Sequence, residues 1–154
     1  MCPIVPDMSR SILALLCVLS VFALTSRAEA SERYAAFVAD METGEVLHSR
    51  RADAERYPAS LTKMMTLYML FEALERGEVS LDDAITASAE AASRPSSKLG
   101  LRAGQTIRVE DAIRALIIQS ANDVAVAVAE HLEGDEAQFA AVMTARAREL
   151  GMAN

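Results

Sequence analysis

Apolar positions change their spacing several times along this chain, and each change predicts an element. "SILALLCVLSVFAL" (Ser11–Leu24) is continuously apolar. Tyr34–Asp40 and Glu45–Ser49 are short runs of strand character on either side of Thr43-Gly44, which supplies turn chemistry, so they predict a β-hairpin. "RADAERYPAS" is a polar connection whose Pro58 favours an extended approach to the next element. "SLTKMMTLYMLFEALERG" then predicts a helix apolar nearly all round, with Gly77 just past its end. A helix of that kind is normally buried inside a larger domain.

The stretch from Glu78 to Val109 mixes short turns with one or two brief strands. From Glu110, "EDAIRALIIQ" predicts a helix whose first-turn acids complement its dipole, with Ile113, Leu116 and Ile117 on one face. The run breaks at "SAND" and resumes as "VAVAVAEHLEG". "DEAQFAAVMTARARELGM" predicts a further helix, with Phe139, Val142 and Met143 on one side and arginines on the other. No repeat, low-complexity tract or linker occurs after residue 30. The pattern is therefore α+β: an antiparallel hairpin, then a mainly helical region.

The first thirty residues stand apart. Arg10 precedes the apolar run, the run covers fourteen residues, and Ala28 and Ala30 supply the small residues of a cleavage site. That order is expected of a secretory signal peptide over residues 1–30, and the run falls short of the roughly twenty residues a membrane-crossing helix needs. Both cysteines, Cys2 and Cys17, lie in this segment, so residues 31–154 are expected to use no disulfide, thiol or Cys-based metal site. Removing Arg10, Arg27, Asp7 and Glu29 leaves 13 basic and 20 acidic residues, still a net charge of −7. An acidic surface argues against nucleic acid and against docking on anionic lipid. The 124 residues that remain suffice for one small domain.

Candidate chemistry enters at "YPASLTKMM". The chain has thirteen arginines and only two lysines, and one of the two, Lys63, stands three residues after Ser60. At that spacing both side chains share a helix face, and Ser60 falls at the helix N-terminus, where the dipole favours a developing anion. A free lysine is neutral only about 0.04% of the time at pH 7. Burial lowers its pKa and makes it a usable base for a serine hydroxyl, which arginine cannot be. An N-cap serine with a lysine snorkelling off an apolar helix accounts for the same residues. "QSAND" brings a second polar group, Ser120 and Asn122, between two apolar helices, which suggests a cleft. Equally, Ser120 or Asn122 could simply cap the second of those helices. On the residues alone both pairs of readings stay open.

Taken together, "ADMETGEVL", "PASLTKMMT", "SRPSSKLGLRAGQTIRVEDAIRALIIQSANDVAVAVAEHLEG" and "FAAVMTARARELGMAN" resemble the serine-type D-alanyl-D-alanine carboxypeptidases, low-molecular-mass penicillin-binding proteins of the bacterial envelope. The resemblance runs from about Arg33 to the last residue. It implies the N-terminal portion of a penicillin-binding-protein/β-lactamase-like transpeptidase domain. It also implies that Ser60 is the acylated nucleophile, Lys63 its base, Ser120 a proton relay and Asn122 a holder of the substrate amide. The reaction implied is removal of the terminal D-alanine from peptidoglycan stem peptides, with no cofactor or metal and with β-lactams as inhibitors. The location implied is the periplasm or cell envelope, and complete family members often end in an amphipathic helix that attaches peripherally to the inner membrane.

The family's third motif, a K-T-G-type triad on a strand, has no counterpart here, because neither Lys63 nor Lys98 is followed by Thr or Ser and then Gly. Residues 31–154 are thus expected to be a truncated catalytic domain lacking the C-terminal strands. An inactive fragment or remnant, and a β-lactamase-related serine hydrolase, are the alternatives. His48, His131 and Lys98 are expected at the surface, and the Met-rich run 64–70 in the core.

Overall fold

The computed structural model describes residues 34–153, which fall into two compact units, one ending at Arg56 and one running from Tyr57. The expected signal peptide lies outside the described residues. In the first unit, strands β1 (Ala36–Ala39) and β2 (Val46–Arg50) pair antiparallel, with Ala36 opposite Arg50 and an irregularity between Val38 and Ala39. Their turn is built by Asp40. Its Oδ1 accepts from the Thr43 N–H (2.8 Å), the Glu42 N–H (3.1 Å) and the Thr43 hydroxyl (2.8 Å). Gly44 then takes a left-handed φ of 73°, which costs glycine nothing. His48 is exposed on β2, as expected.

The second unit begins with a 3-10 turn (Ala59–Leu61) that runs directly into helix α1 (Thr62–Glu75). Pro58 takes a turn conformation (φ −74°, ψ 0°) rather than leading in extended. Gly77 closes α1 where expected. Its N–H donates to the Leu74 carbonyl (3.1 Å) and the Glu78 N–H to the Ala73 carbonyl (3.0 Å), a paired closure that needs the left-handed φ of 71° found at Gly77. Strands β3 (Ala84–Thr86) and β4 (Thr106–Arg108) form a small antiparallel pair, with Ile85 opposite Ile107, around the short helix α2 (Ala89–Ser93). Helix α3 (Val109–Arg114) passes into a π-helical turn (Ala115–Gln119), and α4 (Asn122–Glu133) and α5 (Glu136–Glu149) complete the unit.

Helix α4 is the hub. Its Val124, Ala127 and Val128 are fully buried in a core shared with Leu70 of α1, Ile85 of β3 and Val109 and Ala112 of α3. On its other side Ala129 meets Met69 and Phe139 in a second cluster that joins α1, α4 and α5. Valine is a modest helix former, costing at most about 0.7 kcal/mol against alanine, whereas burying its side chain returns about 1.5 kcal/mol or more. Burial wins, and the intervening alanines let neighbouring helices approach closely.

Three expectations are corrected by the packing. Helix α1 is not buried all round: Thr66, Met69, Leu70 and Ala73 are covered, while Met64 and Phe71 are exposed, because its neighbours α4 and α5 lie on one side. Ile117 does not share the buried face of Ile113 and Leu116 but is exposed. In the π turn the Ser120 N–H reaches back to the Ala115 carbonyl, and the extra residue rotates the next side chains out of α-helical phase. Arg146 does not point away from the apolar face of α5. It lies against α1, donating to Glu72 (Nε to Oε1, 3.1 Å) and to the Tyr68 hydroxyl (3.0 Å).

Candidate active site

The chain reaches Ser60 through a backbone reversal. Ala59 holds a left-handed φ of 49°, a conformation that costs a non-glycine residue roughly 1 kcal/mol or more. The hydrogen bonds of the 3-10 turn begin at the Leu61 N–H, which donates to the Pro58 carbonyl (3.1 Å), so the Ser60 N–H stands outside them. Ser60 itself is exposed at the head of α1, and no side chain caps that helix. Lys63, half-buried, sits on the first turn.

Ser120 closes the π turn in a left-handed conformation (φ 53°, ψ 43°) and is half-buried. The N-cap position of α4 is Ala121, with no side-chain cap, so neither Ser120 nor Asn122 serves as the helix cap that the bare sequence allowed. Asn122 is tied elsewhere. Its Nδ2 donates to the Pro95 carbonyl (2.9 Å) and its backbone N–H to the Ser97 carbonyl (2.8 Å).

A cleft of about 360 Å³ brings Lys63 and Asn122 together, with Ala59, Thr62, Val126 and Phe139 among its lining residues. Ser60 follows Ala59 in the chain but is not among the residues that line the cleft. Ser120 does not line the cleft, and among the described residues no hydrogen bond joins Ser60, Lys63 and Ser120. Arg94 forms part of the wall and pairs with Glu90 (2.8 Å) and with Glu136. Lys98 is exposed, with its Nζ 3.4 Å from the Ala92 carbonyl, and His131 is exposed in the last turn of α4.

One residue escaped the sequence reading. Asp123 is fully buried, and its carboxylate accepts the N–H groups of Leu99 (2.9 Å), Gly100 (2.8 Å), Leu101 (2.9 Å) and Val124 (3.0 Å). Burial alone would push its pKa up. The backbone donors outweigh it and hold the carboxyl below the ordinary aspartate range. A weak signal was present in the sequence: an acid directly after Asn122, at the edge of the apolar run Val124–Ala129.

Among the described residues no cluster of acidic or histidine side chains is set to hold a metal ion, and no helix is long and apolar enough to cross a membrane.

Lys63 on the first turn of α1 and Asn122 on the first turn of α4 thus line one cleft, and Ser60 lies in the 3-10 turn that leads into α1. Residues 23–154 match the D-alanyl-D-alanine carboxypeptidase family, peptidase S11, and the chain belongs to it. It is 35% identical over 125 residues to D-alanyl-D-alanine carboxypeptidase DacF of Bacillus subtilis, covering 81% of this chain and 32% of that protein. The crystal structure of the D-alanyl-D-alanine carboxypeptidase DacD from Francisella tularensis superposes with a TM-score of 0.74 at 34% identity, over 78% of this chain and 29% of that one. Penicillin-binding protein D2 of Listeria monocytogenes in its ampicillin-bound form gives a TM-score of 0.67 at 34% identity, over 78% and 47%. The chain therefore spans about a third of the length of the Bacillus and Francisella relatives.

Proposed function

We propose that this chain carries acylation groups of a serine D,D-carboxypeptidase that removes the terminal D-alanine from peptidoglycan stem peptides. The supporting observation is the cleft lined by both Lys63 and Asn122, whose lining residue Ala59 directly precedes Ser60 in the chain. Lys63 takes the proton from the Ser60 hydroxyl as its Oγ attacks the carbonyl carbon of the D-Ala-D-Ala bond. The carbon–nitrogen bond breaks, and the leaving D-alanine takes up a proton relayed through Ser120. Water then hydrolyses the Ser60 ester. The Ser60 N–H, outside the turn's own hydrogen bonds, supplies a donor to the developing oxyanion, and Asn122 orients the substrate amide. A β-lactam enters by the same attack, with its strained amide in place of the peptide.

The test is the intact mass of the chain after exposure to benzylpenicillin, beside a Ser60→Ala control. One adduct on the wild type and none on the control is expected. An adduct that persists without Ser60, or no adduct at all, overturns acyl transfer by this chain and leaves its family membership standing.

A second reading has one observation in its favour. No K-T-G-type triad occurs in these residues, and the family resemblance implies that the strand bearing it supplies a second oxyanion donor, whose loss would cost roughly 10²–10³ in rate. The chain would then be an inert part of a catalytic domain. Export to the periplasm, with cleavage after Ala30, is the location proposed from the charge and apolar pattern of residues 1–30. N-terminal sequencing of the secreted product checks it: a start at Ser31 is expected, and a start at Met1 removes the reading.

A further inference from the structure

We propose that Asp123 is a positioning residue for the Ser120–Asn122 segment. It locks the 95–101 loop onto the start of α4, and that loop in turn fixes the backbone carrying Ser120 and Asn122. This rests on the acyl-transfer role given to those two residues above.

The argument starts from satisfaction of a buried charge. A carboxylate accepts about four hydrogen bonds, and Asp123 receives four, all from backbone: Leu99 and Val124 on Oδ1, Gly100 and Leu101 on Oδ2. Three of these donors are consecutive residues of one loop, so the carboxylate dictates that loop's course. The loop then returns three bonds to the site. The Ser97 carbonyl accepts the Asn122 N–H (2.8 Å), the Pro95 carbonyl accepts Asn122 Nδ2 (2.9 Å), and the Ser97 hydroxyl donates to the Gln119 carbonyl (2.6 Å). Ser120 is thereby bracketed on both sides, at Gln119 and at Asn122.

The bracket explains a conformation that serine does not choose. A left-handed serine persists only where its surroundings over-determine it, and the π turn by itself supplies two bonds to one acceptor, from the Ser120 and Ala121 N–H groups to the Ala115 carbonyl. Asp123 does not line the cleft. It acts through the loop, not on substrate.

Residue-resolved amide hydrogen exchange on the full chain tests this, comparing wild type with Asp123→Asn. Asparagine keeps the shape but turns an NH₂ group towards backbone N–H donors. Exchange about tenfold faster at Ser120 and Asn122 is expected, with Ala127 and Val128 unchanged, as for a local opening. Wild-type exchange at Ser120 and Asn122 overturns the proposal. Should Asp123→Asn unfold the chain, Ser97→Ala decides, since Ser97 is exposed and its hydroxyl makes one bond. Faster exchange at Ser120 with unchanged melting supports the bracket, and unaltered exchange sinks it.

Penicillin acylation supplies a readout that a merely structural role does not move. Asp123→Asn is expected to slow adduct formation in the wild-type background and to add nothing in a Ser120→Ala, Asn122→Ala background. Equal slowing in both overturns positioning through Ser120 and Asn122. A wild-type chain that forms no adduct defeats the acyl-transfer reading alone, and the exchange result still decides the bracket.

Discussion

The two motif-bearing segments of the second unit are held in opposite ways. Around Ser60 the chain is shaped by its own backbone: a proline, a left-handed alanine and a 3-10 turn, with no side-chain hydrogen bond to the head of α1. Around Ser120 the backbone is held from outside, by side-chain to main-chain bonds that cross from a distant loop and are anchored on a buried carboxylate. A residue at a helix head can rely on local geometry, because the turn and the dipole come with the helix. A polar group between two helices has no such frame and needs a built one. Stability is accordingly expected to respond most to the side chains that hold the second segment, and at the first to the backbone at Ala59 rather than to the Ser60 side chain.

The largest effect is expected from Asp123→Ala. It leaves several backbone N–H groups buried without partners and should cost about 3–4 kcal/mol, a loss visible in thermal or urea unfolding. A loss below roughly 1 kcal/mol would dissolve the contrast between the segments.

Acid should expose the same group. The folded pKa of Asp123 lies below its unfolded value, so its contribution is present above about pH 4 and is lost as pH falls through the folded value. The melting temperature of wild type should therefore fall more steeply than that of Asp123→Asn between about pH 5 and pH 2. Parallel curves would place the stabilising charge elsewhere. Asp40, Asp83 and Glu72 are also held below their ordinary values, by hydrogen bonds from Thr43, Ser80 and Arg146 respectively, but they contribute equally to both proteins.

Smaller shifts belong to the first segment. Ala59→Gly relieves the left-handed strain but loosens the unfolded chain, for a net change within about 1 kcal/mol on the stabilising side. Ala59→Val should be clearly destabilising, and equal melting of the two variants would mean that the reversal is not needed. Smallest is Ser60→Ala, which removes an exposed hydroxyl and should leave stability within about 0.5 kcal/mol, read by the same unfolding curves.

Much of the site was legible in the sequence. Ser60 and Lys63 fall at the head of α1 as their spacing indicated, Gly77 closes that helix, and Asn122 reaches the same cleft as Lys63. Helix α5 buries Phe139, with Val142 and Met143 half-covered beside it, as their spacing required. These features rest on neighbours within one or two turns, and pattern reads such neighbours well. Asp123 and Arg146 were not legible, since their partners lie far away in the chain.

What the sequence alone determined is therefore local: the kinds of element, the helix ends, and the placing of Ser60 and Lys63 near the head of α1. The tertiary structure decided which faces are covered, how the π turn re-phases Ile117, and which backbone groups the Asp123 carboxylate gathers. The physical reason is one of range. Side-chain spacing fixes periodicity and capping over a few residues, whereas a buried polar group finds its partners only once distant segments have packed around it.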